Sequence, residues 1–259
     1  MTRTKESGTS WSQVANWYDQ VLNDPDSYQS QVIWPNLKRI LGEVKGQKML
    51  DLACGQGFFS FEIAKLGASV VGVDISSELI KKAQMESEKA NLGIDFQVAP
   101  ADKLDFLPAG LFDTVVMVLA AQNIKELDRV FVECARVLKK SGRLILILNH
   151  PAFRVPQFSD WHFNELTKVQ GRIVDKYLSE AQIEIKTHPG RENSSQTISF
   201  HRPLQVYFKW LAKNSFAVVR LEEWISHKKS QPSALRVVAE DKARKEIPMF
   251  MCLEAKLLN

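Results

Sequence analysis

The amino-acid sequence predicts an α/β protein built on a largely parallel sheet. Between residues 48 and 149, short apolar runs that end in glycine or a carboxylate alternate with helical segments. Strands that alternate with helices pair in parallel, because each helix carries the chain back across the sheet. The most apolar runs, residues 115–121 and 144–148, have the composition of strands buried on both faces.

The length and composition of the chain are those of an ordinary globular protein. Its 259 residues suffice for one large core, and 45% are hydrophobic and 25% charged. The formal charge of +4 arises from mixed acidic and basic residues, so it does not by itself indicate nucleic acid. The three cysteines have neither metal-ligand nor disulfide spacing, which predicts no metal and favours a reducing cytoplasm. Residues 1–10 lack the apolar core of a signal peptide, and no run is long enough to span a bilayer.

Residues 1–47 are predicted to form helices that cover the sheet. Trp11, Trp17 and Tyr18 belong to a helical stripe within residues 10–20. Asn and Asp residues with a proline break this helix at residues 23–26, and a second helix is expected over residues 27–41, interrupted or restarted at Pro35.

The central segment, residues 48–150, carries the most regular pattern. Strands are predicted at residues 48–53, 69–74, 94–99, 112–120 and 142–149, with helices at 58–66, 76–91 and 127–138. Ser76 is a good N-cap for the second of these helices.

The regular alternation stops at Pro151. Residues 151–200 are longer and more irregular than an ordinary crossover, and we expect a lid or insertion there. Residues 201–259 return to the sheet domain, with a helix at 203–214 and strands at 217–222 and 249–256. The charged stretch between these strands, residues 226–245, is predicted to be a solvated loop with a helical piece.

A glycine turn directly after the first strand is the strongest functional signal. It reads Asp51-Leu-Ala-Cys-Gly-Gln-Gly57. Ligands of open parallel sheets bind beyond the carboxyl ends of the strands, where the backbone turns sharply and approaches the ligand. Glycine permits both, because it has no Cβ and tolerates positive φ.

Two further carboxylates follow the next two strands. Asp74 ends the second strand, where an acid can accept hydrogen bonds from both hydroxyls of a ribose. Asp102 follows the third strand, where it can accept a bond from the exocyclic amine of adenine. Singly, Asp74 is equally well read as a turn acid and Asp102 as a cap, but their order along the chain favours a nucleoside pocket.

The turn favours S-adenosylmethionine over a dinucleotide. A G-x-G-x-x-G fingerprint seats a pyrophosphate, whereas Ser60 stands here in the third position, after the bulky Phe58 and Phe59. Asp51 would face a cation better than a diphosphate. S-adenosylmethionine carries an ammonium and a sulfonium and no phosphate.

The successive motifs resemble those of class I S-adenosylmethionine-dependent methyltransferases, most closely the small-molecule type similar to quinone-biosynthesis methyltransferases. The resemblance rests on Asp51–Gly57, Val70-Val-Gly-Val-Asp74, Ala101-Asp102 and Phe112-Asp-Thr-Val-Val116, with Ala135-Arg-Val-Leu-Lys139 before Gly142. It implies a Rossmann-like three-layer α/β/α sandwich whose seven-stranded, mostly parallel sheet ends in an antiparallel last strand, with a lid insertion after the fifth strand. It also implies S-adenosyl-L-methionine as cofactor, S-adenosyl-L-homocysteine as product and methylation of a small molecule at O, N or C.

The resemblance also implies which residues touch the cofactor. The methionine portion would lie along the first strand's turn, the ribose at the second strand, the adenine after the third, and the sulfonium after the fourth. Tyr18 would close over the cofactor, with plain helix packing as its alternative. The implied residues are Tyr18, Asp51, Ala53, Gly55, Gly57, Asp74, Ile75, Ala101, Asp102, Leu119 and Gln122.

The acceptor side is predicted around the end of the fifth strand. His150 titrates near neutrality and could act as base, or else only bond the backbone of the turn before Pro151. Four residues of the lid could hold an anionic or aromatic substrate, or simply pack the lid on the sheet. They are Arg154, Trp161, His162 and Tyr177.

Three other functions stay open on the residues alone. A late basic region could dock RNA or a protein, although it lacks interleaved aromatic residues; it comprises His227, Lys228, Lys229, Arg236, Lys242, Arg244 and Lys245. The chain could also hold S-adenosylmethionine without turnover, or be a nicotinamide-linked oxidoreductase. The sequence favours a small-molecule acceptor, makes nucleic acid an unlikely partner and leaves the oligomeric state open.

Overall fold

The computed structural model describes residues 24–186, 196–231 and 236–258. The predicted first helix and Tyr18 lie outside these ranges. The described strands are β1 (Lys48–Leu52), β2 (Ser69–Asp74), β3 (Asp95–Val98), β4 (Phe112–Val118), β5 (Leu138–Asn149), β6 (Ser159–Asn164), β7 (Val169–Val174), β8 (Ala181–Lys186), β9 (Gln196–His201), β10 (Phe216–Trp224) and β11 (Phe250–Leu257). The described α-helices are α1 (Trp34–Leu41), α2 (Phe58–Lys65), α3 (Ser77–Ala90), α4 (Leu127–Val137), α5 (Leu204–Lys213) and α6 (Val237–Glu246).

Seven of these strands form one sheet in the order β10-β11-β5-β4-β1-β2-β3. β11 runs antiparallel to both of its neighbours, β10 and β5. The neighbouring pairs from β5 across to β3 are parallel. The predicted seven-stranded sheet with an antiparallel last strand is therefore confirmed.

Helices cover both faces of the sheet, because alternate residues of each strand point to opposite sides. On one face, Leu50 and Leu52 pack with Phe131 of α4 and Leu211 of α5. On the other face, Met49 packs with residues of α1 and α2, among them Leu37 and Ile63. The structure thus has the three layers that were predicted.

The second predicted helix is not interrupted at Pro35. A π-helical turn, Gln29–Ile33, runs directly into α1, and Pro35 occupies the first turn of that α-helix. Proline is tolerated there because the first backbone N–H groups of a helix have no intrahelical acceptor. Residues 29–41 are thus helical without a break, and the expected interruption or restart at Pro35 was wrong.

The segment after β5 is more regular than the sequence suggested. It contains two antiparallel hairpins, β6–β7 and β8–β9, before α5 begins. The expectation that residues 151–200 are irregular was wrong for these four strands. No residue in either strand of the first hairpin is fully buried, so these strands lack the apolar runs that revealed the strands of the main sheet.

No helix in the described parts of the chain has the length and apolar character that crossing a bilayer requires.

Candidate functional site

A cavity of about 340 Å³ opens at the carboxyl ends of β1, β2 and β4. This is the edge where ligands of open parallel sheets bind. Seven of the predicted cofactor residues line the cavity: Ala53, Gly55, Asp74, Ile75, Ala101, Asp102 and Leu119. The structure therefore brings together residues that are widely separated in the chain.

The glycine turn between β1 and α2 has the backbone that its composition predicts. Ala53, Gly55 and Gly57 all have positive φ, at 58°, 56° and 87°. A Cβ on Gly57 would lie 2.8 Å from the ring of Phe96, so both the conformation and the space require glycine at this position. Gly57 is also the N-cap of α2, although it does not itself line the cavity.

Asp74 is fixed by the turn it faces. Its Oδ2 accepts a hydrogen bond from the Gly55 N–H at 2.8 Å, and its Oδ1 accepts one from the Ser76 N–H at 2.9 Å. Burial raises the pKa of Asp74, and these backbone bonds oppose that rise. The backbone of Ile75 also bonds this carboxyl group. Because a carboxylate has about four acceptor positions, acceptor capacity still stays available for a ligand hydroxyl.

Asp51 lies behind the turn and does not line the cavity. Its carboxyl group is buried and accepts a hydrogen bond of 2.6 Å from the Ser60 hydroxyl. Burial raises the pKa of Asp51 to about 7; the Ser60 bond lowers it, and the negative charge of Asp74 raises it further. A nearby cation would favour the ionised form of this acid.

The turn after β4 presents a polar atom without a partner. Leu119 has a φ of 53°, and its carbonyl accepts a bond of 2.6 Å from Gln122 Nε2. That bond fixes the amide so that Gln122 Oε1 is buried without a hydrogen-bond partner in the described structure; Gln56 Oε1 of the glycine turn is in the same situation. Two buried acceptors beside the turns that border the cavity would suit a ligand with N–H donors.

The wall opposite the glycine turn was missed by sequence reasoning. Asn123, Ile124, Lys125 and Glu126 line the cavity between β4 and α4. Asn123 ends a short 3₁₀ turn, Ala121–Asn123, and the other three residues follow it. None of the four carries a motif or periodicity that would predict a ligand site.

His150 is not among the residues that line the cavity. Its Nδ1 accepts the Ala152 N–H at 3.2 Å, so Nε2 carries the proton and donates it to Glu223 Oε1 at 2.7 Å. Burial lowers the pKa of His150, although the bond to Glu223 partly opposes this. Both ring nitrogens are engaged, and catalysis by His150 stays a prediction.

The four predicted lid residues are not among those that line the cavity either. Trp161 and His162 lie on the exposed β6, and the Arg172 guanidinium lies 5.1 Å from the Trp161 ring centroid. Burial lowers the pKa of Arg154. The Tyr177 hydroxyl accepts the Leu204 N–H at 2.9 Å. Their substrate roles stay predictions.

The donor and acceptor groups around the cavity fit S-adenosylmethionine. Asp74 and Asp102 present carboxylate acceptors to the cavity, of the kind that a ribose and an adenine amine require. Gln122 is not among the residues that line the cavity, although its buried Oε1 has no partner in the described structure. The buried Asp51 behind the turn suits a cationic ligand better than a phosphate. A phosphate would be repelled by the ionised forms of Asp51 and Asp74.

Comparison with known proteins agrees with this fit. Residues 50–146 match the family described as "Methyltransferase domain". A ubiquinone/menaquinone biosynthesis C-methyltransferase of Haemophilus ducreyi is 32% identical over 204 residues, which cover 73% of this chain and 76% of that protein. A ubiquinone biosynthesis O-methyltransferase of Xanthomonas euvesicatoria is 33% identical over 104 residues, 40% of this chain. The chain thus matches only 44% of the Xanthomonas protein's length.

A solved structure extends the similarity over most of the fold. The S-adenosylmethionine-dependent methyltransferase of Mesorhizobium loti superposes with a TM-score of 0.69 at 28% sequence identity. The superposition covers 86% of this chain and 96% of that one. A second such protein, from Listeria monocytogenes, shares the fold at 22% identity with a TM-score of 0.66.

Proposed function

The chain belongs to the class I S-adenosylmethionine-dependent methyltransferases, and from that premise we propose that it transfers a methyl group to a small-molecule acceptor. The observation that carries the proposal is the cavity in which the glycine turn, Asp74 and Asp102 meet. The acceptor is a quinone-like ring compound, since the relatives from Haemophilus and Xanthomonas are named for quinone biosynthesis.

Each part of the cofactor has a proposed partner. Asp74 accepts hydrogen bonds from the ribose hydroxyls, and Ile75 packs against the sugar. Asp102 and Ala101 flank the adenine. The methionine portion lies along Ala53, Gly55 and Gly57, with Asp51 stabilising its positive charge through space; Leu119 and Gln122 lie near the sulfonium. The cavity lining supports this assignment for most of these residues.

The chain's contribution to chemistry is alignment. The bound cofactor supplies a methyl group already activated by its sulfonium, so the protein must hold the acceptor in line and exclude water. A general base is required only if the acceptor loses a proton early, as an acidic ring carbon or a phenol does. To serve as that base, His150 would have to give up the Ala152 N–H or the bond to Glu223.

The ion pairs made by the basic region also support a small-molecule acceptor. His227 contacts Asp26 at 3.0 Å, Lys228 pairs with the same carboxylate, and Arg244 pairs with Asp241 at 3.0 Å. These internal pairs reduce the free positive charge available to a phosphate backbone. We further infer a reducing, cytoplasmic setting, because Cys54, Cys134 and Cys252 are free thiols.

The test measures cofactor binding and then transfer. We expect the protein to bind S-adenosylhomocysteine in calorimetry and to transfer labelled methyl from S-adenosylmethionine to a water-soluble short-chain demethylquinone. The Asp74→Ala variant should lose about 100-fold or more in affinity, since a charged acceptor of two hydroxyls disappears.

The matched control is Asp95→Ala, which removes an exposed carboxylate at the amino end of the neighbouring β3. It should bind like the wild type. Affinity within a few-fold of wild type in folded Asp74→Ala would refute the ribose assignment.

A further inference from the structure

Arg202 is a buried cation that bonds to the wall of the cofactor cavity. Only 4% of its surface is exposed. Its Nη2 donates to the carbonyls of Ile124 and Lys125 at 2.8 and 2.7 Å, and its Nη1 donates to the carbonyl of Ala121 at 3.4 Å. Ile124 and Lys125 line the cavity.

The surroundings hold the guanidinium in one orientation. It lies 5.2 Å from the ring centroid of Phe200 and 5.4 Å from that of Trp210. Glu180 and Asp128 act on it only through space, without an ion pair in the described structure. Burial lowers the pKa of Arg202, and Tyr207, Glu180 and Asp128 oppose this fall. The carbonyls of the wall accept the N–H groups of the buried guanidinium.

The wall needs such support because residues 124–126 belong to neither a strand nor a helix. A further hydrogen bond joins the wall to β9, because the Asn123 Nδ2 donates to the Ile198 carbonyl at 2.9 Å. Arg202 directly follows β9. Two contacts therefore join this part of the chain to the wall of the cavity: the hydrogen bonds of Arg202 and the bond between Asn123 and β9.

We propose that Arg202 is a positioning residue for cofactor binding: by holding the carbonyls of Ala121, Ile124 and Lys125, it keeps the wall at residues 123–126 in place against the cofactor. The inference rests on the proposed function. It predicts that the planar guanidinium, and not merely a positive charge, is required, because an ammonium group cannot reach these separate carbonyls with the same geometry.

The experiment compares Arg202→Lys with Arg143→Lys. Arg143 is a matched control, since it also donates to two carbonyls, those of Ile40 and Leu41 at 3.2 and 2.7 Å, but at α1 and away from the cavity. We expect Arg202→Lys to weaken S-adenosylhomocysteine binding about tenfold and to raise KM for S-adenosylmethionine by a similar factor. The kcat at saturating cofactor should fall by less than about threefold.

Hydrogen exchange gives a readout that does not depend on activity. In Arg202→Lys without ligand, amides of residues 121–126 should exchange faster, while those of β1 keep their wild-type rates. Arg143→Lys should change neither the affinity nor the exchange at residues 121–126. Wild-type affinity in folded Arg202→Lys, or an equal loss of affinity in Arg143→Lys, overturns the proposal.

A second variant decides the matter if Arg202→Lys does not fold. Phe200→Leu keeps an apolar side chain but removes one ring face from the guanidinium, and it should weaken S-adenosylhomocysteine binding about two- to fivefold. Unchanged affinity in Phe200→Leu then overturns the proposal. A wild-type protein that does not bind S-adenosylhomocysteine refutes the proposed function and this inference together, a result distinct from loss of the Arg202 effect alone.

Discussion

The carboxyl group of Asp51 is buried behind the glycine turn with one hydroxyl donor, and its pKa is raised to about 7. In the unfolded chain the same group titrates near 3.8. Between these values the folded state binds more protons than the unfolded state, so Asp51 lowers stability progressively as pH rises from about 4 to 7.

The variant Asp51→Asn removes this ionisation. We expect the free energy of unfolding of the variant, relative to wild type, to increase as pH rises from 5 to 8. Urea unfolding at a series of pH values measures the difference.

The control is a variant whose stability relative to wild type should change with pH in the opposite direction. The bond from Arg136 lowers the pKa of Glu133, so its stabilisation is present above its ordinary pKa of 4.5 and is lost as pH falls through the lowered value. Glu133→Gln should therefore be less stable than wild type at pH 7, with a gap that closes in acid. A pH-independent difference for Asp51→Asn would contradict the assigned titration.

The sequence was sufficient to predict those site residues whose position follows from the end of a strand. Asp74 and Asp102 follow consecutive strands of a parallel sheet, so their common edge follows from topology alone. The sequence predicts that residues 201–203, which open a helix, could reach the mouth of the same pocket, but the role of Arg202 could not be found this way. An arginine before a proline usually indicates an exposed position, and only the tertiary structure shows that backbone carbonyls bury it.

At the scale of elements, α5 begins with a cap from a distant side chain. The N-cap is Pro203, which offers no side-chain acceptor, and the Tyr177 hydroxyl instead accepts the Leu204 N–H at 2.9 Å. The His201 Nε2 donates to the Tyr177 carbonyl at 2.8 Å. Tyr177 therefore joins the insertion to the start of α5 through both its hydroxyl and its backbone.

These contacts make a prediction for Tyr177→Phe. Loss of the hydroxyl leaves a helix N–H without an acceptor, which should lower the free energy of unfolding by about 1 kcal/mol. The KM for the acceptor should stay at the wild-type value. Chemical denaturation and steady-state kinetics separate the two effects.

A variant with wild-type stability and a raised acceptor KM would instead support the substrate role predicted for Tyr177. As an internal comparison, His162→Ala changes an exposed residue of the same insertion and should leave the stability within about 0.5 kcal/mol of wild type.

Elements of the central sheet were easier to predict than the hairpins for a physical reason. β4 and the second half of β5 are buried on both faces, so their apolar composition reveals them. β6 and β7 bury little, and exposed hairpins leave only a weak alternating pattern. Residues 124–126 of the cavity wall belong to no strand or helix and carry no sequence pattern that would have predicted them.

For the whole molecule, the cavity is built on the central strands of a continuous sheet, so ligand binding should stabilise the sheet domain as one unit. S-adenosylhomocysteine at about 100 times its Kd should add about 2.7 kcal/mol to the free energy of unfolding. We expect a single calorimetric transition that moves to higher temperature with ligand concentration.

The comparison variant is Asp74→Ala, in which an affinity about 100-fold lower leaves only about 0.4 kcal/mol of stabilisation at the same ligand concentration. Two transitions, of which only one responds to S-adenosylhomocysteine, would contradict a single cooperative sheet domain.

The position of β11 has a consequence for the order in which the protein is assembled. In the described sheet, β10 pairs with β11 alone, and β11 separates it from β5. During synthesis β10 leaves the ribosome before β11, yet β11 is the strand of this sheet with which it pairs. Until β11 has been made, β10 is therefore a strand without a partner in this sheet, with its backbone N–H and C=O groups open to other chains.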